Sequence, residues 1–184
     1  MLTKAGKQAI AVMPVCNGQN TSPNTVPMFP TDSIRNTSNQ ERWISYVSNA
    51  LFNTFAFTNN AANSGFHLGS GTTAPTENDY KMETDITSNV TCTLASTSRG
   101  VDSNGKQYME FVYTVTNTAA SGNMTTGECG LVSSNINCCT SASATSASGN
   151  NILIDRTVLA TPITIAPQGS AALKYRITCD MSFS

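Results

Sequence analysis

Acid–base or nucleophilic catalysis needs an imidazole, a thiolate or paired carboxylates held together, and this chain offers few of those parts. Its one histidine, His67, has no carboxylate or cysteine beside it in sequence, so Asp79 or Asp85 would reach it only by folding. A lone histidine in a glycine-rich segment reads as a turn or interface residue. Gly69-Ser70-Gly71-Thr72-Thr73 has the glycines of a phosphate loop, but no Gly-Lys-Ser/Thr and no helix-forming run follow, so it reads as a tight turn. Glu77, Asp79, Glu83 and Asp85 offer oxygens to Ca²⁺. Their spacing misses the calcium loop, which needs a glycine at the sharp turn and a closing bidentate glutamate, and they read as a solvated acidic loop. The expectation is therefore no catalytic set, no cofactor and no metal site.

Cys16, Cys92, Cys129, Cys138, Cys139 and Cys179 are spread over the whole chain, without a Cys-x-x-Cys pair. The first residues, MLTKAGKQAIAVM, lack the apolar core and cleavage site of a secretion signal. Free thiols in a reducing compartment are expected, and Cys92 and Cys179 fall on the apolar phase of their strands. Asp155 and Arg156 stand inside an otherwise apolar run, Ile152-Leu153-Ile154 before and Val158-Leu159 after. Arginine makes planar, bidentate contacts with carboxylates, so the pair reads as a register or interface device toward a neighbouring strand or subunit. The Asn-x-Ser/Thr sequons at Asn20, Asn36, Asn89 and Asn123 are near chance in a chain this rich in those residues.

The elements that would position these residues are mostly strands. From Asn151 to Cys179, Ile163 and Ile165 alternate with Thr164. Ala171, Leu173, Tyr175, Ile177 and Cys179 alternate with Ala172, Lys174, Arg176 and Thr178. A period of two means a half-buried antiparallel sheet, here as two or three strands. Further strands are expected at His67-Leu68, at Val90, Cys92 and Leu94, at Met109 to Val115, and briefly at Cys129 to Val132, with Asp102-Ser103-Asn104-Gly105 as a hairpin turn. Ser38 to Glu41 has the form of a capping box, and Trp43, Ile44, Val47, Ala50 and Leu51 recur at helical spacing, which predicts a helix over about 39–52. Residues 133–150, rich in Ser, Ala and Asn, read as a low-complexity loop. Residues 1–37, with Pro14, Pro23, Pro27 and Pro30, read as an extended arm that precedes a domain over 38–184. One helix among closely spaced strands predicts a mainly β chain, an antiparallel sandwich or jelly-roll.

Of the 184 residues only 11% are charged, against about a quarter in a typical soluble domain. A net charge of −1 carries no nucleic-acid footprint, and no apolar run reaches the ~18 residues of a membrane span. Uncharged polar surface is cheap to desolvate, which suits a protein packed against many neighbours.

From about residue 66 onward the chain resembles structural proteins of tailed bacteriophages. The likeness rests on four elements in order. The first is a Gly-x-Gly-Thr-Thr-x-Pro turn, Gly69 to Pro75, with the acidic stretch Asp79-Tyr80-Lys81-Met82-Glu83 behind it. A strand ending in Asn, Tyr113 to Asn117, comes next, and then Glu128-Cys129-Gly130-Leu131. The last is the Asp-Arg-Thr-x-Leu-x-x-Pro-Ile-x-Ile-x-x-x-Gly ending, Asp155 to Gly169. The long Ser/Ala stretch at 133–150 and the cysteine count depart from the family pattern. The resemblance implies a non-enzymatic β-sandwich subunit of a virion, assembled in the bacterial cytoplasm into a tail, neck or collar, with capsid decoration or host-glycan binding as alternatives. Its partners would be further copies of itself, in a ring or trimer, and other virion proteins, with no membrane and no nucleic acid. Pro14, Pro27, Pro30, Gly69, Gly71, Pro75, Asp155 and Arg156 are the interface candidates.

Overall fold

A computed structural model describes residues 1–12, 26–27, 31–46, 65–143 and 147–179. The chain is mainly β, and every strand pair is antiparallel. The single helix among the described residues is α1, Lys4–Val12. The strands are β1 (Val26–Pro27), β2 (Ile34–Arg35), β3 (Glu41–Tyr46), β4 (Gly65–Gly69), β5 (Val90–Val101), β6 (Gln107–Asn117), β7 (Met124–Cys139), β8 (Ala147–Ile165) and β9 (Ser170–Cys179).

Strand β7 organises the larger sheet. One of its edges pairs with β8, and the other pairs first with β4 and then with β3, which carries β1 and β2. The smaller sheet runs β5-β6-β9. One apolar cluster draws on both sheets: Phe66 and Leu68 of β4, Cys129 and Leu131 of β7, Ile152 and Ile154 of β8, and Phe111, Tyr113, Val115 and Tyr175 of the small sheet. Phe66 joins them directly, with its ring stacked 4.4 Å from Tyr113 and edge-on to Tyr175 at 5.5 Å. The alternation expected at the C-terminal end is present. Tyr175 is buried and Ala171, Leu173 and Ile177 pack on the core, while Ala172, Lys174 and Arg176 are exposed.

The hairpin turn after β5 forms as expected. Asp102 Oδ1 accepts the Asn104 and Lys106 N–H groups, and Gly105 takes the positive φ, 76°. Pro162 does not end β8. The register passes from Glu128↔Val158 to Thr126↔Ile163, so Pro162 lies in a stretch that owes no ladder hydrogen bond to β7.

Three expectations need correction. Residues 41–46 of the supposed helix form β3, and 47–52 lie outside the described residues. The side chain of Asn36 takes over the Ser38–Glu41 signal. Its Oδ1 accepts the Ser38 and Gln40 N–H groups, and Asn39 sits at φ 62°, which turns the chain into a strand against β7. Trp43 and Ile44 fit either period, and pairing with Cys139 and Cys138 decides it. Among the described residues, most of the 133–150 segment is strand rather than loop. β7 runs to Cys139 and β8 starts at Ala147, with Ile136, Cys138 and Cys139 buried, so polar composition concealed a ladder. The arm expected over 1–37 does not begin at residue 1. Thr3 caps α1 by accepting the Gly6 N–H, and its hydroxyl also donates to the Leu153 and Ile154 carbonyls of β8.

Cys92, Cys129 and Cys138 are buried free thiols, and Cys139 is buried beside them. Burial pushes Cys92 up to about 11 and Cys129 and Cys138 up to about 12. Among the described residues no helix is long and apolar enough to cross a membrane.

α1 docks so closely on β8 that a Cβ on Gly6 would collide with the Ile154 carbonyl. Gly6→Ala gains roughly 1 kcal/mol of helix propensity. The obstacle is backbone, however, and overpacking costs about 1–3 kcal/mol, so the clash prevails. The expected outcome is a lower urea midpoint; a raised midpoint would show that α1 does not dock here.

Candidate functional site

The residues that stand out in the sequence converge on the outer face of the larger sheet. His67 of β4 lies opposite Gly130 of β7, which lies opposite Arg156 of β8, so the three share one row. The next outward residue along β7 is Glu128. Sheet pleating aims Arg156 and Glu128 at the same face, away from the shared core.

Over this face lies the segment from Ser70 to Asp85, closed at its neck by backbone bonds. Ser70 N–H donates to the Thr84 carbonyl at 2.8 Å, and Ile86 N–H to the Leu68 carbonyl at 2.8 Å. Arg156, 3% exposed, holds the loop from beneath. Its Nε donates to Glu128 Oε2 (2.6 Å) and Nη1 to Asp79 Oδ2 (2.7 Å). Nη2 donates to the Thr73 carbonyl (3.1 Å) and to Glu83 Oε2 (3.2 Å). Glu128 is wholly buried, and its carboxylate also accepts the N–H groups of Gly71, Glu83 and Thr84. Backbone donors therefore supply what one guanidinium cannot give three carboxylates.

The glycines of the turn now have a reason. A Cβ on Gly69 would collide with the Glu128 carboxylate, and one on Gly71 would lie 2.6 Å from its Oε1. Gly130 clears a second space. A Cβ there would meet Met82 Sδ at 2.7 Å, and Met82, Val132 and Leu153 form a small apolar cluster under the loop. Three clefts flank the loop, of about 280, 240 and 240 Å³, and Tyr80 lines the first two while Lys81 lines the last two.

Burial opposes charge on Asp79, but hydrogen bonds from Arg156 and Thr76 outweigh it and hold the carboxyl below its ordinary range. The Thr73 hydroxyl and N–H do the same for Glu83. Burial works against the Arg156 charge, and the Asp79 and Glu128 carboxylates overcome it and raise its pKa. The solvated acidic loop is thus only half right: Glu77, Glu83 and Asp85 are exposed and Asp79 is half-buried, but Asp79 and Glu83 both bond to Arg156. Folding brings Asp85 to His67, with Oδ2 3.0 Å from Nδ1, and leaves His67 Nε2 buried without a hydrogen-bond partner. Among the described residues no three His, Cys, Asp or Glu side chains are grouped to hold a metal ion.

Asp155 and Arg156 do not act as a surface pair. Asp155 is opposite Leu131 on the core side, where Tyr175 Oη of the smaller sheet donates to Oδ2 and the Met1 amine lies 3.1 Å from Oδ1. Of the two partners open to Arg156, a neighbouring strand or a neighbouring subunit, the strand supplies the carboxylate. The expectation that these two residues form an intersubunit contact is therefore corrected, because both are buried within their own chain. Gly69 and Gly71 are buried for the same reason, and Pro75 is half-buried in the loop. Pro14 and Pro30 lie outside the described residues. Pro27 is described through its backbone alone, paired with Ser45.

Glu128 is the residue that sequence reasoning did not connect. Its signal was present: one lone anion in β7 amid uncharged neighbours, and one lone cation in β8 beside Asp155. Compared with family models, curated proteins and solved structures, the chain matches none.

Removing one member of a buried ion pair strands the other. Arg156→Met should lower unfolding free energy by about 3–5 kcal/mol in urea titrations. A loss below ~1 kcal/mol would mean that the hub is wet. For acid stability, Asp79 and Glu83 have folded pKa values below their ordinary 3.8 and 4.5. Their contribution is complete above those ordinary values and is lost as pH falls through the depressed ones. Unfolding midpoints should drop along an acid limb that Asp79→Asn flattens; an equally steep limb would remove Asp79 from this linkage.

Proposed function

We propose that this chain is a non-enzymatic structural subunit of a bacteriophage particle, working by self-association and by contact with other virion proteins in a tail, neck or collar. One observation carries the reading. All four elements of the resemblance to phage structural proteins are fasteners of this fold. Gly69 and Gly71 make room for Glu128; Thr73, Asp79 and Glu83 hold Arg156. Asn117, 1% exposed, ties the remaining pieces: its N–H donates to the Gly169 carbonyl and its Nδ2 to the Gly122 and Ile165 carbonyls. Residues shared for such reasons mark a shared body, read here as a β-sandwich, rather than a shared chemistry.

The low charge supports the same reading, since hydroxyl- and amide-rich surfaces desolvate cheaply in close packing. Capsid decoration is the same mechanism at another place in the particle. The test is mass spectrometry of purified particles from an infected culture that expresses this chain. The expected result is the chain at a fixed copy number per particle, and its absence from particles would overturn the reading.

A further inference from the structure

The Ser70–Asp85 loop has no regular secondary structure of its own, and loops longer than ~12–15 residues of that kind are uncommon in compact domains and usually functional. This one is held rigid from below by Arg156, and the three clefts open around its crest at Tyr80 and Lys81. Its charge is mainly negative: Glu77, Asp79, Glu83 and Asp85 stand above Glu128, against Lys81, Arg156 and the Lys7 that pairs with Glu77 at 3.0 Å.

The hairpin end of the smaller sheet has the opposite character. Arg99, Lys174 and Arg176 stand there against one carboxylate, Glu110, while Asp102 and Lys106 of the turn add one charge of each sign. Arg176 lies over the Tyr108 ring, 4.1 Å from its centroid. Val101 and Met109, 62% and 47% exposed, are two of three large apolar side chains exposed among the described residues, and both are at this end. The pleat divides this end, with Lys174, Arg176 and Glu110 on one face and Arg99, Met109 and Val101 on the other. The hairpin tip as a whole therefore presents a net cationic, partly apolar end that complements the acid-rimmed, clefted loop.

We propose that copies of this chain associate head to tail, the β5–β6 hairpin end of one copy docking on the Ser70–Asp85 loop of the next. The occupant is a second copy because the chain itself carries both halves of the contact. A two-fold contact of loop on loop would set carboxylate against carboxylate. A heterologous contact pairs opposite charges and generates a ring where the rotation closes. This assignment rests on the self-association proposed above and specifies its surfaces.

Sedimentation velocity of the full chain over a range of concentrations tests it. Arg99→Glu and Glu77→Lys lie at exposed positions, and circular dichroism and thermal unfolding check that each variant folds. Each should lower the association constant at least tenfold, and wild-type association should weaken with added salt. An equimolar mixture of the two variants should regain association, because the wild-type hairpin of the Glu77→Lys chain meets the wild-type loop of the Arg99→Glu chain and the two reversed charges attract at the next junction. Wild-type assembly that both folded variants reproduce unchanged would overturn the surfaces and leave self-association standing. A wild-type chain monomeric at every concentration would remove self-association itself.

Discussion

A guanidinium buried at 3% exposure against a fully buried carboxylate is an expensive arrangement, and the outer side of this molecule is built around it. Taking such ions out of water costs several kcal/mol each before their attraction is counted, and well-packed apolar side chains often hold a sheet as firmly. An apolar filling between β7 and β8 would not hold the loop above. Arg156 reaches Asp79, Thr73 and Glu83 in one planar fork, so the loop has a single seating compatible with all three. The glycines at 69, 71 and 130 follow from that seating, since two clear the Glu128 carboxylate and one clears Met82. The ion cluster chooses a loop conformation more than it adds stability.

How far this was legible depends on the range of each interaction. Period-two alternation announced β5, β6 and β9 because side-chain direction in a strand is a local property. The hairpin at Asp102–Gly105 was legible for the same reason. The segment around Trp43 was not. Trp43 and Ile44 satisfy helix and strand alike, and pairing with residues almost a hundred positions away settles the choice. The Ser/Ala/Asn stretch hid the ends of β7 and β8, because its polar side chains sit in a ladder whose partner is equally polar. The hub was half legible. Arg156 called for a carboxylate on a neighbouring strand, but a register broken by bulges near Thr126, Leu131 and Ser133 conceals which residue of β7 that is.

Neighbours in sequence serve opposite layers here. Asp155 points into the core and ties the larger sheet to Tyr175 of the smaller one, while Arg156 points out and ties it to the loop. Leu131 lies opposite Asp155 and Val132 opposite Leu153, so Ile154 is the extra residue of a bulge just before them. That bulge sets the phase in which both charges find their partners. A one-residue slip would send the arginine into the apolar core and the aspartate under the acidic loop, each among the wrong neighbours. Register in β8 is therefore enforced electrostatically on both faces at once.

The same economy extends to the surface. Lys4 pairs with Asp32, Lys7 with Glu77, Lys174 and Arg176 with Glu110, and Arg156 gathers three carboxylates. In a chain with ten Lys and Arg and eleven Asp and Glu, those pairs take up five of the cations and six of the anions as fasteners within one subunit. What remains outside is largely threonine, serine, asparagine and alanine. Such a surface has little long-range repulsion to keep copies apart and little ionic hydration to strip when they meet. In the self-association proposed above, the net charge left at each end of the chain orients its neighbour, because the rest of the surface is largely uncharged. Charge here serves shape first, and in the proposed self-association its scarcity elsewhere is what gives a small surplus its directing role.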